Sequence, residues 1–238
     1  MNTSTAAMRP STNATATPQF WDRLWRSAGL QALGLFVLAY FVYGDPPHVG
    51  ASPEALVGFY QGDRLRILTA AVLAGFAVLN LMWFAAALRT TLAAVGQDGW
   101  GAAATAASAA LGAVLLLLVT LSAALAYSLS GAGNPGLLGA LNDLSWAGVV
   151  LSSFPRAMLI MASAFGLWRA GLVSNRLFAV GVAAVVLVLL GGTTWASGGF
   201  WAPDGIFSRL VSPLIGLLWI LVVSRVLLTR GSSTYAAW

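Results

Sequence analysis

One charged side chain in this sequence stands where charge is costly. Arg156 follows Pro155 in the middle of an apolar stretch spanning 144–168, about 20 Å from either end at ~1.5 Å rise per residue. An unpaired arginine at the centre of a bilayer costs from ~2.5 to more than 10 kcal/mol. A guanidinium in such a place therefore faces inward and seeks acceptors: a carboxylate, a phosphate or hydroxyl oxygens. None of the six apolar stretches contains Asp or Glu. Asn80, 14 residues after Arg66, matches the depth of Arg156, 13 residues after Asp143, and its amide oxygen can accept. Ser152, Ser153 and the carbonyl near 151 that Pro155 deprives of its donor would complete the shell. Two readings follow. The site holds an anion or a lipid headgroup at a broken helix, or it is a polar knot that pins the second and fourth helices together.

The remaining polar candidates lie near the ends of these stretches. Arg64 and Arg66 open the second one and are expected at headgroup level, or paired with Asp63 or Glu54 to hold an external loop. Asp143, after Asn142, is expected to cap the fourth helix. His48, the single histidine, sits in a Pro-rich loop without obvious co-ligands, so it reads as a solvated residue and no metal site is expected. Pro213 reads as a tolerated first-turn proline. The sequence has no Walker loop, no Gly-x-Ser-x-Gly elbow, no His-Glu-x-x-His and no carboxylate pair set for acid–base work. With Cys absent as well, no catalytic residue and no cofactor is expected, and an enzyme is the least favoured class.

The elements that must position these residues follow from composition. Of 238 residues 59% are hydrophobic and 8% charged, against about 25% charged in an average soluble domain. Too few polar atoms remain to cover a water-facing surface, so the chain reads as an integral membrane protein. The apolar residues run in blocks without alternation, which points to an all-α bundle instead of a barrel. Six membrane-spanning helices are expected, over about 24–43, 67–88, 102–127, 144–168, 177–195 and 210–228, within a membrane domain of 20–230. Residues 1–19, rich in Ser, Thr, Ala and Asn, read as a disordered cytoplasmic tail, and 231–238 as a short second one.

All twelve basic residues are arginine. Arg9, Arg23, Arg26, Arg89, Arg169, Arg176, Arg225 and Arg230 fall on one side of this scheme, while Arg64, Arg66 and Arg209 fall on the other. The positive-inside rule then places both termini in the cytoplasm of an inner cell membrane. Tyr43, Tyr60, Tyr127, Trp146 and Trp195 would form the outer aromatic belt, and Trp21, Trp25, Trp100 and Trp168 the inner one. The arginines form no basic stripe, so nucleic acid is not an expected partner; the lipid bilayer is, with a membrane protein or a second copy as further candidates. In the longest external loop, Asp45-Pro46-Pro47 stops the first helix. Ser52-Pro53-Glu54 then starts a short helix able to lie on the membrane or across the bundle mouth. Small residues over 102–112 read as a close-packing helix face.

Arg64-Leu65 and Arg176-Leu177 open two stretches of opposite direction, a faint echo of a three-plus-three inverted repeat, although so narrow an alphabet produces such echoes by chance. Gly58-Phe59-Tyr60 with Arg64 and Arg66, Asn142-Asp143-Leu144, Ser153-Phe154-Pro155-Arg156 and the closing run from Trp219 to Val223 carry a resemblance. The chain resembles an uncharacterised family of actinobacterial multi-pass membrane proteins, a domain of unknown function. That resemblance implies membrane residence and about six helices, and it assigns no activity or residue role. Two functions stay open: a non-enzymatic bundle acting through lipid or protein partners, and a small-solute or anion transporter using Arg156 and Asn80.

Overall fold

The computed structural model describes residues 24–128, 131 and 134–230, and among them every regular element is helical. Both expected tails and the belt residue Trp21 lie outside the described residues. The helices that lie wholly among the described residues are, in order, α1 Ala28–Tyr43, α2 Pro53–Gly62, α3 Arg64–Ala93, α4 Asp98–Tyr127, α5 Pro135–Leu151, α6 Ser153–Arg169, α7 Asn175–Gly191 and α8 Ser212–Arg230. Among the described residues, four segments are long and apolar enough to cross a membrane: α3, α4, the 35-residue run Pro135–Arg169 that comprises α5 and α6, and Phe207–Thr229. The apolar helices α1 and α7 are shorter, at 16 and 17 residues.

The helices close into a ring in which α1 packs on α3, α3 on α4, α4 on α6, α6 on α7, α7 on α8 and α8 back on α1. Small residues set the register. A side chain on Gly29 of α1 would meet Ser224 of α8 and Phe84 of α3; one on Gly148 would meet Leu118, and one on Gly166 would meet Leu92 and Trp100. These contacts make sequential neighbours antiparallel. The α4 face over 101–112 is the close-packing face expected, with Gly101, Ala104, Ala107, Ser108, Leu111 and Gly112 all buried. In the absence of a hydrophobic drive between helices within lipid, such close approach is what holds a bundle together.

The α2 end carries a cap. Gly44, at φ 78°, turns the chain out of α1, and a side chain there would lie 3.1 Å from Nη2 of Arg66. Asp45-Pro46-Pro47 then forbids more helix, and Ser52 restarts it by accepting from the Ala55 amide at 3.3 Å, with Pro53 in the first turn. Helix α2 lies across the bundle mouth: Leu56 and Tyr60 bury against Ile67, Leu125, Ala126 and Leu138.

Two sequence expectations change here. The fourth helix starts at Pro135, capped by the Asn134 side chain on the Leu137 amide, so Asp143 lies mid-helix and caps nothing. The Asn134-Pro135 pair is itself a strong start signal, and the mildly polar turn after it continues the helix beyond the apolar stretch. Tyr60 and Trp146 are buried, 1% and 6% exposed, so they are cap residues instead of belt residues. Tyr127 and Trp195 remain exposed.

Candidate functional site

Arg156 owes its position to a break. The helix pauses at Ser152, between α5 and α6, because Pro155 has no N–H to donate to the Leu151 carbonyl. Helical side chains lean toward the N-terminus, and so does Arg156. Its Nη2 donates to Ser152 Oγ at 2.8 Å, and its Nη1 donates to Ser212 Oγ of α8 at 2.9 Å. Helices α6 and α8 run parallel, as the Trp219 Nε1 bond to Ser163 Oγ at 2.8 Å confirms one step deeper. Gly216 makes room: a side chain there would lie 2.7 Å from Cδ of Arg156. Gly191 of α7 does the same for Ser212, at 2.8 Å from its Oγ.

A guanidinium carries five N–H donors, and two of them meet these hydroxyls. No carboxylate joins them among the described residues. Asp63 pairs with Arg66, Asp98 with Arg89, Asp45 with Arg209 and Asp204 with His48. Asp143 accepts from the Gly50 amide at 3.0 Å, and Glu54 stands exposed on the cap. The seventh acid, Asp22, lies outside the described residues.

Arg156 lines a cavity of about 520 Å³ inside the ring. Ligand pockets commonly span about 300–1,000 Å³. The walls are almost wholly apolar, from Ile67 and Ala70 near the cap to Leu81, Phe84, Ile160 and Trp219 at depth. Their polar interruptions are few: Arg156 with Ser152, Ser163 and Ser122, and Arg209 at the rim.

The cap closes the axial end above this cavity. Tyr60 Oη donates to Asn142 Oδ1 at 3.0 Å, Asn142 Nδ2 donates to the His48 carbonyl at 3.1 Å, and Trp146 Nε1 donates to the Pro47 carbonyl at 2.9 Å. Burial pushes the Tyr60 phenol above its ordinary value, so it stays protonated and keeps donating.

The sequence-derived set is only partly assembled. Ser152 and Arg156 meet, but Ser153 faces Gly191 of α7. Asn80 donates back to the Phe76 carbonyl of its own helix at 2.9 Å and is no partner of Arg156. Equal residue counts from Arg66 and Asp143 suggested equal depth. The count fails because the segment 135–146 belongs to the cap, so Arg156 lies nearer the capped end than its position in 144–168 implies. Arg66 pairs with Asp63 and stands over the Phe59 ring, while Arg64 stands over Tyr127, its guanidinium carbon 4.7 Å from the ring centre. His48, mostly exposed, meets Asp204 through Nδ1 at 3.0 Å.

Ser212 is the site residue that sequence reasoning missed. Nothing local marks it: Ser212 reaches Arg156 only because α6 and α8 run parallel and set their first turns at one level. No family model, curated protein or solved structure matches this chain.

Proposed function

We propose that this protein is a six-span membrane bundle that binds one single-chain anionic amphiphile, with the chain in the apolar cavity and the anionic head at Arg156. It does no chemistry on that ligand in this reading. The observation that carries it is the pairing of an apolar cavity with a cation that no carboxylate among the described residues reaches. A half-buried charge among apolar walls favours an opposite charge or further hydrogen bonds, and the two serine hydroxyls engage only two of its five N–H donors. An anionic head would supply the rest, with the bidentate geometry that guanidinium favours. An apolar tail matches the walls and gains about 0.8 kcal/mol per buried methylene.

The arginine bias supports a topology with both termini on the cytoplasmic side and the α2 cap outside. In that topology α1 and α7 cross as shorter fifth and sixth spans, accommodated by local thinning or tilt of their neighbours.

Purification in mild detergent followed by mass spectrometry of retained lipid tests the reading. About one anionic amphiphile per chain is expected. Retention of neutral lipids alone would refute the assignment of the head, and sustained anion flux across liposomes would replace binding with transport.

A further inference from the structure

The proposed occupant needs a route into the cavity, and the cavity walls mark one. The lining residues that are also exposed on the outer surface of the bundle are Val37, Tyr40, Phe41, Leu210 and Leu214, at 39–74%. All five lie on α1 or on the segment that leads into and begins α8. Among the wall residues contributed by α3, α4 and α6, Ile67, Leu81, Leu111 and Ile160 are no more than 4% exposed, and the others, such as Ala74, Leu118 and Ser122, are buried or half-buried. A cavity whose openly accessible walls all belong to one helix pair opens between those two helices.

The capped end is unsuited to passage. Three buried or half-buried side chains of α2 and α5 hold the loop over it through the Tyr60, Asn142 and Trp146 bonds. The α1–α8 seam, by contrast, is crossed near its rim by a single ion pair, Asp45 to Arg209. Arg209 stands in a π-helical turn, Phe207–Val211, that ends two residues before Pro213. That turn has a cause. Pro213 cannot donate to the carbonyl four residues earlier, which is that of Arg209, and its ring crowds the same carbonyl. A wider turn relieves the clash, and π-turns of this kind cluster where helices serve a function.

We infer that the α1–α8 seam is a lateral portal through which the amphiphile passes from the membrane leaflet at the cap end, with Asp45–Arg209 as its latch. This rests on the reading of the cavity as an amphiphile site. Ser212 lies three residues beyond Arg209, about 4.5 Å along the helix axis. A head that has passed the latch therefore comes within one helical turn of the Arg156 guanidinium. The tail never has to leave apolar surroundings, since Val37, Phe41 and Leu214 face outward beside the opening.

The test follows uptake and release of a fluorescent long-chain polyene fatty acid by the full chain in nanodiscs. Asp45→Asn should quicken uptake and release together by about two- to fivefold, the range within which a partly exposed ion pair can hold a gate. The swap of Asp45→Arg with Arg209→Asp should bring both rates back toward those of the unaltered protein. Leu214→Trp, which places bulk in the opening, should slow both. Unchanged rates in Asp45→Asn and Leu214→Trp would overturn the portal, as would faster uptake when the cap is loosened by Asn142→Ala while Asp45→Asn has no effect. Failure of the unaltered protein to take up the probe at all would sink the cavity reading itself, and the portal with it.

Discussion

Replacing Arg156 with methionine separates a binding site from a structural pin, because the two roles predict opposite costs. The substitution removes two charge-assisted hydrogen bonds, to Ser152 and Ser212 at 2.8 and 2.9 Å, each worth about 1.5–3 kcal/mol. It also removes the desolvation penalty of a charge among apolar walls, several kcal/mol after relaxation. Methionine fills much of the same space and adapts its shape. The two contributions nearly cancel, so Arg156→Met should unfold within about 2 kcal/mol of the unaltered protein, or later. Ser212→Ala is the contrasting case: it keeps the charge and takes away a partner, at a cost of about 1–3 kcal/mol. Thermal unfolding in detergent, with and without a long-chain fatty acid, reads both. Arg156→Met should weaken fatty-acid binding by at least about thirtyfold, the lower end for breaking a buried charge pair. It should leave a neutral long-chain alcohol largely unaffected. If Arg156→Met instead loses 3–5 kcal/mol of stability and binds acid and alcohol as the unaltered protein does, the residue is a pin and the reasoning fails.

Four further outcomes follow from the packing, the cap and the topology. Gly181→Ala should destabilise the bundle by about 1–3 kcal/mol in chemical unfolding, since its methyl would start 2.6 Å from the Trp219 ring and 2.9 Å from Ala164. Tyr60→Phe should cost about 1–3 kcal/mol by leaving the buried Asn142 oxygen unpaired, which proteolysis of the 44–62 segment would detect as faster cleavage. The same phenol gives a pH dependence: its folded-state pKa is raised by burial, so its contribution is complete below about pH 10 and declines as pH rises above that value. Tyr60→Phe should remove that part of the alkaline slope. Reporter fusions at the two ends should both report the cytoplasmic side, and reporters on opposite sides would break the six-span topology.

How much of this could be read in the chain depends on the range of the physics involved. Local rules succeed: Ser52-Pro53 starts a helix, Asp45-Pro46-Pro47 ends one, and the alanine-rich face of α4 packs closely. The helical break around Arg156 is also local, since Pro155 alone removes the bond that would bridge it. Depth is a different quantity. Counting residues from Asp143 placed Arg156 beside Asn80, but the count took the start of an apolar stretch for the start of a membrane crossing. Asn142, Asp143 and Trp146 are drawn into the cap by the 44–50 loop, a long-range arrangement with no local signature. Ser212 escaped for a related reason: it lies 56 residues from its partner, and the parallel pairing of α6 with α8 emerges only once the ring closes. The cavity has no signature in sequence either, since it is the space that packed helices distant in the chain fail to fill.

Electron cryomicroscopy of the protein in lipid nanodiscs tests the central claim most directly. The account predicts continuous elongated density in the cavity between Arg156 and Trp219, with a head within hydrogen-bonding distance of the Arg156 guanidinium. Side chains collapsed into that space, or a water-filled path running past Arg156 from one end of the bundle to the other, would contradict it.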